Sequence, residues 1–194
     1  MSGFRNICIY CGSSNRVAES YQTCATQTGI WLAESNRRLI YGGGRTGLMG
    51  LAADAVLSRG GEVFGIIPSF LKDKELAHED ITRLETVQTM HERKQRMAEL
   101  ADAFLVLPGG FGTLDEAMEI LTWKQIGLHD SPVLFLNAEG FWDSVLDAFN
   151  ALVREGFARA EDLSLFQVVP TVGHLEKALA QTQPARNEVL SKWI

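Results

Sequence analysis

The sequence predicts an α/β fold, a doubly wound parallel sheet with helices on both faces, in one domain. Three observations carry that prediction. Short, continuous apolar runs alternate with helical patterns, as strands buried on both faces of a parallel sheet do. The length of 194 residues suits a single domain able to bury a sizeable core. Turns follow three of the apolar runs, at Gly12–Ser14, Gly42–Gly47 and Gly109–Thr113, the last two clusters of glycine, and in such folds ligands sit at the carboxyl ends of the strands.

The elements follow in order. Asn6–Tyr10 reads as a strand broken by Gly12, Ser13 and Ser14, and Ala18 to about Asn36 as a helix. Arg38–Tyr41 is a short strand ended by three glycines, and Leu48–Arg59 a helix stopped by Gly60 and Gly61. Glu62–Ile67 is the third strand, closed by Pro68, and the charged stretch Ser69–Thr82 reads as an irregular functional loop. Arg83–Val87 is a fourth strand, Met90–Leu100 a charged helix and Ala103–Leu107 a fully apolar strand. The second glycine cluster then leads into a helix from Leu114 to about Gly127. Val133–Leu136, Phe141–Gly156, Phe166–Val169 and Val172–Thr182 complete the alternation of strand and helix. The domain is expected to occupy residues 1–183, with 184–194 a tail.

Composition excludes several classes. Eighteen basic residues against 24 acidic ones give a net charge of −6, so no broad basic face is available for a nucleic acid or an anionic membrane. No run of about 18 apolar residues predicts a membrane span, and Met1–Asn6 lacks the apolar core of a signal peptide; a cytoplasmic location is the expectation. Cys8 and Cys11 form a C-x-x-C, but Cys8 lies inside an apolar strand, where cysteine acts as a small hydrophobe. The C-x-x-C is also half of a zinc-site spacing, but a structural zinc site needs four ligands, and the four histidines show no ligand spacing.

The glycine turns carry the chemistry. Gly109-Gly110-Phe111-Gly112-Thr113 follows a buried strand and opens a helix. Glycines let backbone N–H groups approach a ligand, and a helix N-terminus offers unpaired donors and a positive dipole end, which together bind phosphate. Gly42–Gly47 fits G-x-G-x-x-G, yet Glu62, at the spacing of a ribose-binding acid, begins the next strand instead of ending it, which argues against a dinucleotide. Leu48 and Met49 exclude a Walker A loop. Thr113-x-x-Glu116 also reads as a capping box, and Glu116 meets a ligand only if it turns away from the backbone. The charge run His91–Arg96 reads as a solvated helix face with a Glu92–Arg96 pair, or as Arg93 and Lys94 holding an anion beside the glycine turns. Taken alone, Glu75 is surface charge, and Trp123 and Trp142 are core residues.

Pro108-Gly109-Gly110-Phe111-Gly112-Thr113-Leu114-Asp115-Glu116 matches the P-G-G-x-G-T-x-x-E signature of the LOG ("lonely guy") family, the cytokinin riboside 5′-monophosphate phosphoribohydrolases, once labelled lysine decarboxylases. Cys11–Ser14, Tyr41–Gly44, Gly47–Gly50, Met90–Lys94, Leu121–Trp123, Gly127–Asp130 and Glu155–Phe157 resemble further family landmarks, in order. The resemblance covers roughly residues 5–180. It implies a Rossmann-like fold and hydrolysis of the N-glycosidic bond of an adenine-type nucleoside 5′-monophosphate. It also implies a homodimer and no organic cofactor or metal. By the same resemblance Arg93 and Glu116 are catalytic. Gly12, Ser13, Gly43, Gly44, Thr46, Glu75, Met90, Lys94, Gly109, Gly110, Gly112, Thr113, Leu114, Asp115 and Thr122 join them in binding substrate. Asp115 stands where plant members often carry Glu. A carboxylate near C1′ suits an oxocarbenium-like transition state as electrostatic stabiliser, general base or nucleophile, and the sequence leaves these three roles open.

Overall fold

The structure, a computed structural model, describes residues 3–72, 74 and 76–182. Glu75 and the expected tail at 184–194 lie outside the described residues. The order is β1 (Asn6–Tyr10), α1 (Glu19–Glu34), β2 (Arg38–Tyr41), α2 (Gly47–Ser58), β3 (Val63–Pro68) and α3 (Ser69–Lys72). It continues β4 (Arg83–Val87), α4 (Met90–Leu100), β5 (Ala103–Val106), α5 (Phe111–Gln125), β6 (Val133–Leu136), α6 (Asp143–Arg154), β7 (Gln167–Val169) and α7 (Leu175–Gln181). The seven strands form one parallel sheet in the order β4-β3-β2-β1-β5-β6-β7. The expected doubly wound α/β architecture is therefore present. The strand order reverses direction between β1 and β5, so the crevice that such sheets offer to ligands opens beyond Tyr10 and Val106.

Strand alternation divides the core in two. Ile7 and Ile9 of β1, with Ala103 and Leu105 of β5, face α1, α2 and α7 through Leu32, Val56 and Leu179. Cys8, Tyr10, Phe104 and Val106 face the other way, onto α4, α5 and Trp142 through Met97 and Ile120. The period of two also settles the C-x-x-C, because Cys8 and Cys11 belong to cores on opposite faces of the sheet. All three cysteines are free and buried.

The structure corrects several boundaries. Helix α5 begins at Phe111, three residues before the expected Leu114, so Gly112 belongs to its first turn. The expected helix Phe141–Gly156 starts only at Asp143, because the Asn137 side chain accepts from the Trp142 N–H at 2.7 Å and seals the chain there, after a 3₁₀ turn at Ala138–Gly140. The last helix is likewise divided into a 3₁₀ turn, Val172–His174, and α7. Ala160–Leu165, unassigned from sequence, is a 3₁₀ helix. The stretch Ser69–Thr82 contains α3 and a single antiparallel bridge between Ala77 and Gly44. Glu62 sits at the amino end of β3, where it accepts from Arg38 Nε at 2.7 Å. That end is remote from the crevice, as the argument against a dinucleotide requires. Among the described residues no helix is long and apolar enough to cross a membrane.

Candidate active site

Three turns close on one another at the crevice. The Gly12 N–H donates to Pro108 O at 3.0 Å, and the Leu48 N–H donates to Gly12 O at 3.0 Å. Gly47 has φ +63°, and a Cβ there would lie 2.3 Å from the Ser13 carbonyl carbon. The G-x-G-x-x-G spacing thus lets α2 pack against the β1 turn. Around these contacts lies a cleft of about 480 Å³, within the range of small-molecule sites.

Arg93 enters the cleft from the first turns of α4. A Cβ on Gly42 would lie 1.6 Å from Arg93 Nη2, so the guanidinium rests directly on that glycine. Arg93 Nη2 stands 3.5 Å from Glu116 Oε1, and both side chains are almost fully buried. Among the described residues, Arg93 Nε is buried with no hydrogen-bond partner. A buried cation left this short of acceptors is costly and points to a missing anionic or polar partner.

Glu116, on the second turn of α5, is 8% exposed. Burial pushes its carboxyl pKa up to about 7, with Arg93 opposing and Asp115 reinforcing the rise. This carboxyl is therefore poised between its two protonation states near neutral pH, which suits a proton-transfer group. Of the two readings of Thr113–Glu116, the capping box does not form: α5 has no side-chain cap, and its N-cap is Gly110. Moving the helix start to Phe111 carries Glu116 past the capping position and turns it into the cleft.

The N-terminus of α5 is open. Among the described residues, the N–H groups of Phe111, Gly112 and Thr113 have no acceptor. A Cβ on Gly110 or Gly112 would meet nothing within 4 Å, so this stretch of backbone borders free space. Gly109 is required for a different reason, because a Cβ there would fall 2.1 Å from Thr113 Oγ1. Three bare amides and a helix dipole make a ready anion site.

Of the residues singled out from sequence, Gly12, Ser13, Gly44, Thr46, Met90, Arg93, Gly110, Gly112, Thr113, Asp115 and Glu116 line the cleft. Gly43 and Gly109 lie behind it in the turns, and Leu114 packs against the core on the α5 face. Thr122 is exposed and donates to Met118 O at 2.8 Å. Lys94 does not face the cleft: its ammonium holds Asp115 at 3.0 Å and Glu119 at 3.1 Å. Burial opposes its charge, but these two carboxylates outweigh that and raise its pKa. Lys94 thereby fixes Asp115 at the rim. The Glu92–Arg96 pair is absent. Arg96 bonds Glu85 and Glu99 at 2.8 and 3.2 Å, while Glu92 accepts from the Gln88 N–H at 2.7 Å.

Sequence reasoning missed Ile9, Cys11, Met49, Ile67, Leu71 and Leu76 as lining residues, while Gly42 and Phe111 lie in the turns it singled out. Ile9, Cys11 and Ile67 were available from the carboxyl-end rule applied to β1 and β3. The other apolar residues carry no signal that separates them from core or loop. Among the described residues no group of three or more His, Cys, Asp or Glu is placed to hold a metal ion. A pyridoxal-type cofactor would need a free amine. Among the described residues the lining contains no lysine, and Lys94 is committed to two carboxylates, so these residues do not fit one.

Residues 49–179 match a protein family described as "Possible lysine decarboxylase". The Arabidopsis thaliana cytokinin riboside 5′-monophosphate phosphoribohydrolase LOG3 is 43% identical over 191 residues, covering 98% of this chain and 89% of its own. LOG2 of the same plant is 42% identical over 193 residues, covering 100% of this chain and 91% of its own. Among solved structures, the molybdenum cofactor carrier protein of Chlamydomonas reinhardtii superposes with a TM-score of 0.70 at 20% identity, covering 91% of this chain and 99% of that one. The molybdenum cofactor binding protein of Rippkaea orientalis gives 0.70 at 18% identity, covering 91% and 95%. At such identities these two share the Rossmann-like fold alone.

Proposed function

The chain belongs to the LOG family of cytokinin riboside 5′-monophosphate phosphoribohydrolases, and from that membership we propose that it hydrolyses the N-glycosidic bond of cytokinin riboside 5′-monophosphates, and of AMP, releasing free base and ribose 5-phosphate. The observation that carries this reading is the Arg93–Glu116 pair, 3.5 Å apart and buried in a cleft beside the open N-terminus of α5.

In the proposed mechanism the Phe111, Gly112 and Thr113 amides hold the 5′-phosphate. The phosphate does not react, so its binding energy is free to position C1′ against Glu116. Arg93 orients the ribose or phosphate and fills its empty hydrogen-bonding capacity in doing so. The C1′–N9 bond breaks and its electron pair leaves with the base, which ends protonated. Positive charge grows on C1′ and is stabilised by the Glu116 carboxylate. Water adds to C1′ and Glu116 accepts its proton, while the departed base takes up an equal proton from solvent; a carboxyl titrating near neutrality can do this and release its proton to solvent again. The base is assigned to the apolar part of the lining, Met49, Leu71 and Leu76, where an N6-prenyl group meets apolar surface.

A homodimer is part of the proposal. Phe111 is 92% exposed, and Ile126 and Leu128 are exposed at the other end of α5, apolar surface that a second copy would cover. Sedimentation at micromolar concentration is expected to give twice the chain mass. A cytoplasmic location is also proposed, supported by three free buried thiols.

The test is incubation with AMP, adenosine and isopentenyladenosine 5′-monophosphate, without cofactor, beside Glu116→Gln. Free base from the monophosphates alone, lost in the variant, is expected. Release from none of them would overturn the reaction, and retained AMP binding would then identify a nucleotide-binding module.

A further inference from the structure

We infer that His78, held by Asp54, is a positioning residue that clamps the apolar wall of the base-binding part of the cleft and thereby sets discrimination between N6-substituted and plain adenine. The inference rests on the reaction proposed above. The residues involved lie outside the cleft itself. His78 is buried, and its Nε2 stands 2.8 Å from Asp54 Oδ1 on α2. Its backbone N–H donates to Gly43 O at 2.9 Å, while the Arg45 N–H donates to Leu76 O at 3.0 Å. With the Ala77–Gly44 bridge these bonds stitch residues 76–78 to the glycine turn after β2. Leu76 and Gly44 both line the cleft.

The two ends of the connection from β3 to β4 are held very differently. Helix α3 has no buried residue, and its Phe70 is exposed. Downstream, Ala77 and Ile81 are buried and His78 is bonded at both backbone and side chain. Among the described residues, the segment that carries Leu76 is held on its downstream side by the backbone bonds to the glycine turn and by the His78–Asp54 contact. Asp54 lies on the same helix whose first turns bring Thr46 and Met49 to the cleft. The contact spans the glycine turn and ties two lining segments into one frame. Glu116 and the α5 amides come from other elements, and Arg93 enters from α4 to rest on Gly42, just after β2 and ahead of the bonded residues Gly43–Arg45, so loosening the clamp leaves the ribose-phosphate half in place. Discrimination by an apolar wall is worth roughly 10–200-fold per methylene-sized difference, which makes its placement measurable.

The test compares wild type with His78→Ala, His78→Gln and Asp54→Ala on isopentenyladenosine 5′-monophosphate and AMP. For His78→Ala and Asp54→Ala, KM for the prenylated substrate is expected to rise about tenfold. KM for AMP, and kcat for both substrates, should stay within about threefold. His78→Gln, whose amide can still donate to Asp54, should recover most of the loss, and the double alanine variant should be no worse than either single one. A variant that loses thermal stability while keeping the KM ratio, or that loses both substrates equally, would overturn the inference. Hydrogen exchange of the ligand-free protein is the independent readout. The Arg45 and His78 amides are expected to exchange about tenfold faster in His78→Ala and near the wild-type rate in His78→Gln. Unchanged exchange would sink the clamp whether or not base is released. Absence of base release by the wild type would instead count against the proposed reaction, with the exchange result still deciding the clamp.

Discussion

Two helices of this protein carry the quartet Thr-x-x-Glu at their amino ends, and the two quartets do different work. On α4, Thr89 is the N-cap and its hydroxyl accepts from the Glu92 N–H at 3.1 Å, while Glu92 reaches back to the Gln88 N–H at 2.7 Å. Both side chains are spent on backbone donors at the surface. On α5 the N-cap is Gly110, Thr113 packs against Gly109, and Glu116 is buried 3.5 Å from Arg93. The Phe111, Gly112 and Thr113 amides at this helix start are left without a side-chain cap, and the Glu116 carboxylate faces the cleft instead of a backbone donor. A shift of three residues in the helix start separates the two outcomes. The α4 quartet contributes stability. The α5 quartet gives up that contribution and retains an anion site and a carboxyl with a raised pKa.

Substitutions at the two quartets should therefore diverge. The largest expected effect is at Glu116: Glu116→Gln should lower kcat for base release by about 10²–10⁴-fold with KM changed only a few-fold, read from free base by chromatography. An equal loss at Glu92→Gln would erase the contrast between the helices.

Next in size is the pH dependence. In the unfolded chain this carboxyl titrates near 4.5, and in the folded protein near 7. Between these values the native state holds more protons, so stability should fall as pH rises from about 4.5 to about 7 and level off above. The total is about 3 kcal/mol at 1.36 kcal/mol per unit of pKa. Denaturant melts of Glu116→Gln should lack this fall, while kcat/KM of the wild type should rise with pH through about 7.

Arg93→Lys should cost about 10–100-fold in kcat/KM, because one ammonium cannot reproduce the planar fork against Gly42, Glu116 and substrate together. Full activity would show that only charge is needed at this position. The smallest effect belongs to Thr89→Ala, which should lose about 1 kcal/mol of stability in urea with turnover within twofold.

The strands were legible because Ile7–Tyr10, Ala103–Val106 and Val133–Leu136 are apolar along their length, a pattern that only a doubly covered sheet explains. The glycine turn after β5 was legible as an anion site for a similar reason, since its composition exceeds what a turn needs. The start of α5 was not, because glycine has little helical preference and Gly112 reads as loop although it is helical. The two T-x-x-E quartets are equivalent on paper, and only their position relative to the first helical turn distinguishes them. Lys94, read as a substrate contact, is bonded to Asp115 and Glu119 on α5, a neighbour supplied by packing of distant segments. The approach of Arg93 to Gly42 is of the same kind. Leu71 and Leu76 were hidden in a charged loop whose backbone path depends on the bridge to Gly44.

The bond from the Gly12 N–H to Pro108 O joins the two halves of the chain at the crevice. Strand β1 pairs with β2, its neighbour in sequence, and with β5, which is made only after four strands have been added. Closing that second pairing is a slow, non-local step in folding. Ser13, Gly44 and Met49 belong to the early half, and Glu116 with the α5 amides to the late one. In a refolding experiment helical signal should return before this closure and activity only with it. The enzyme assay then becomes a clock for the moment the two halves meet.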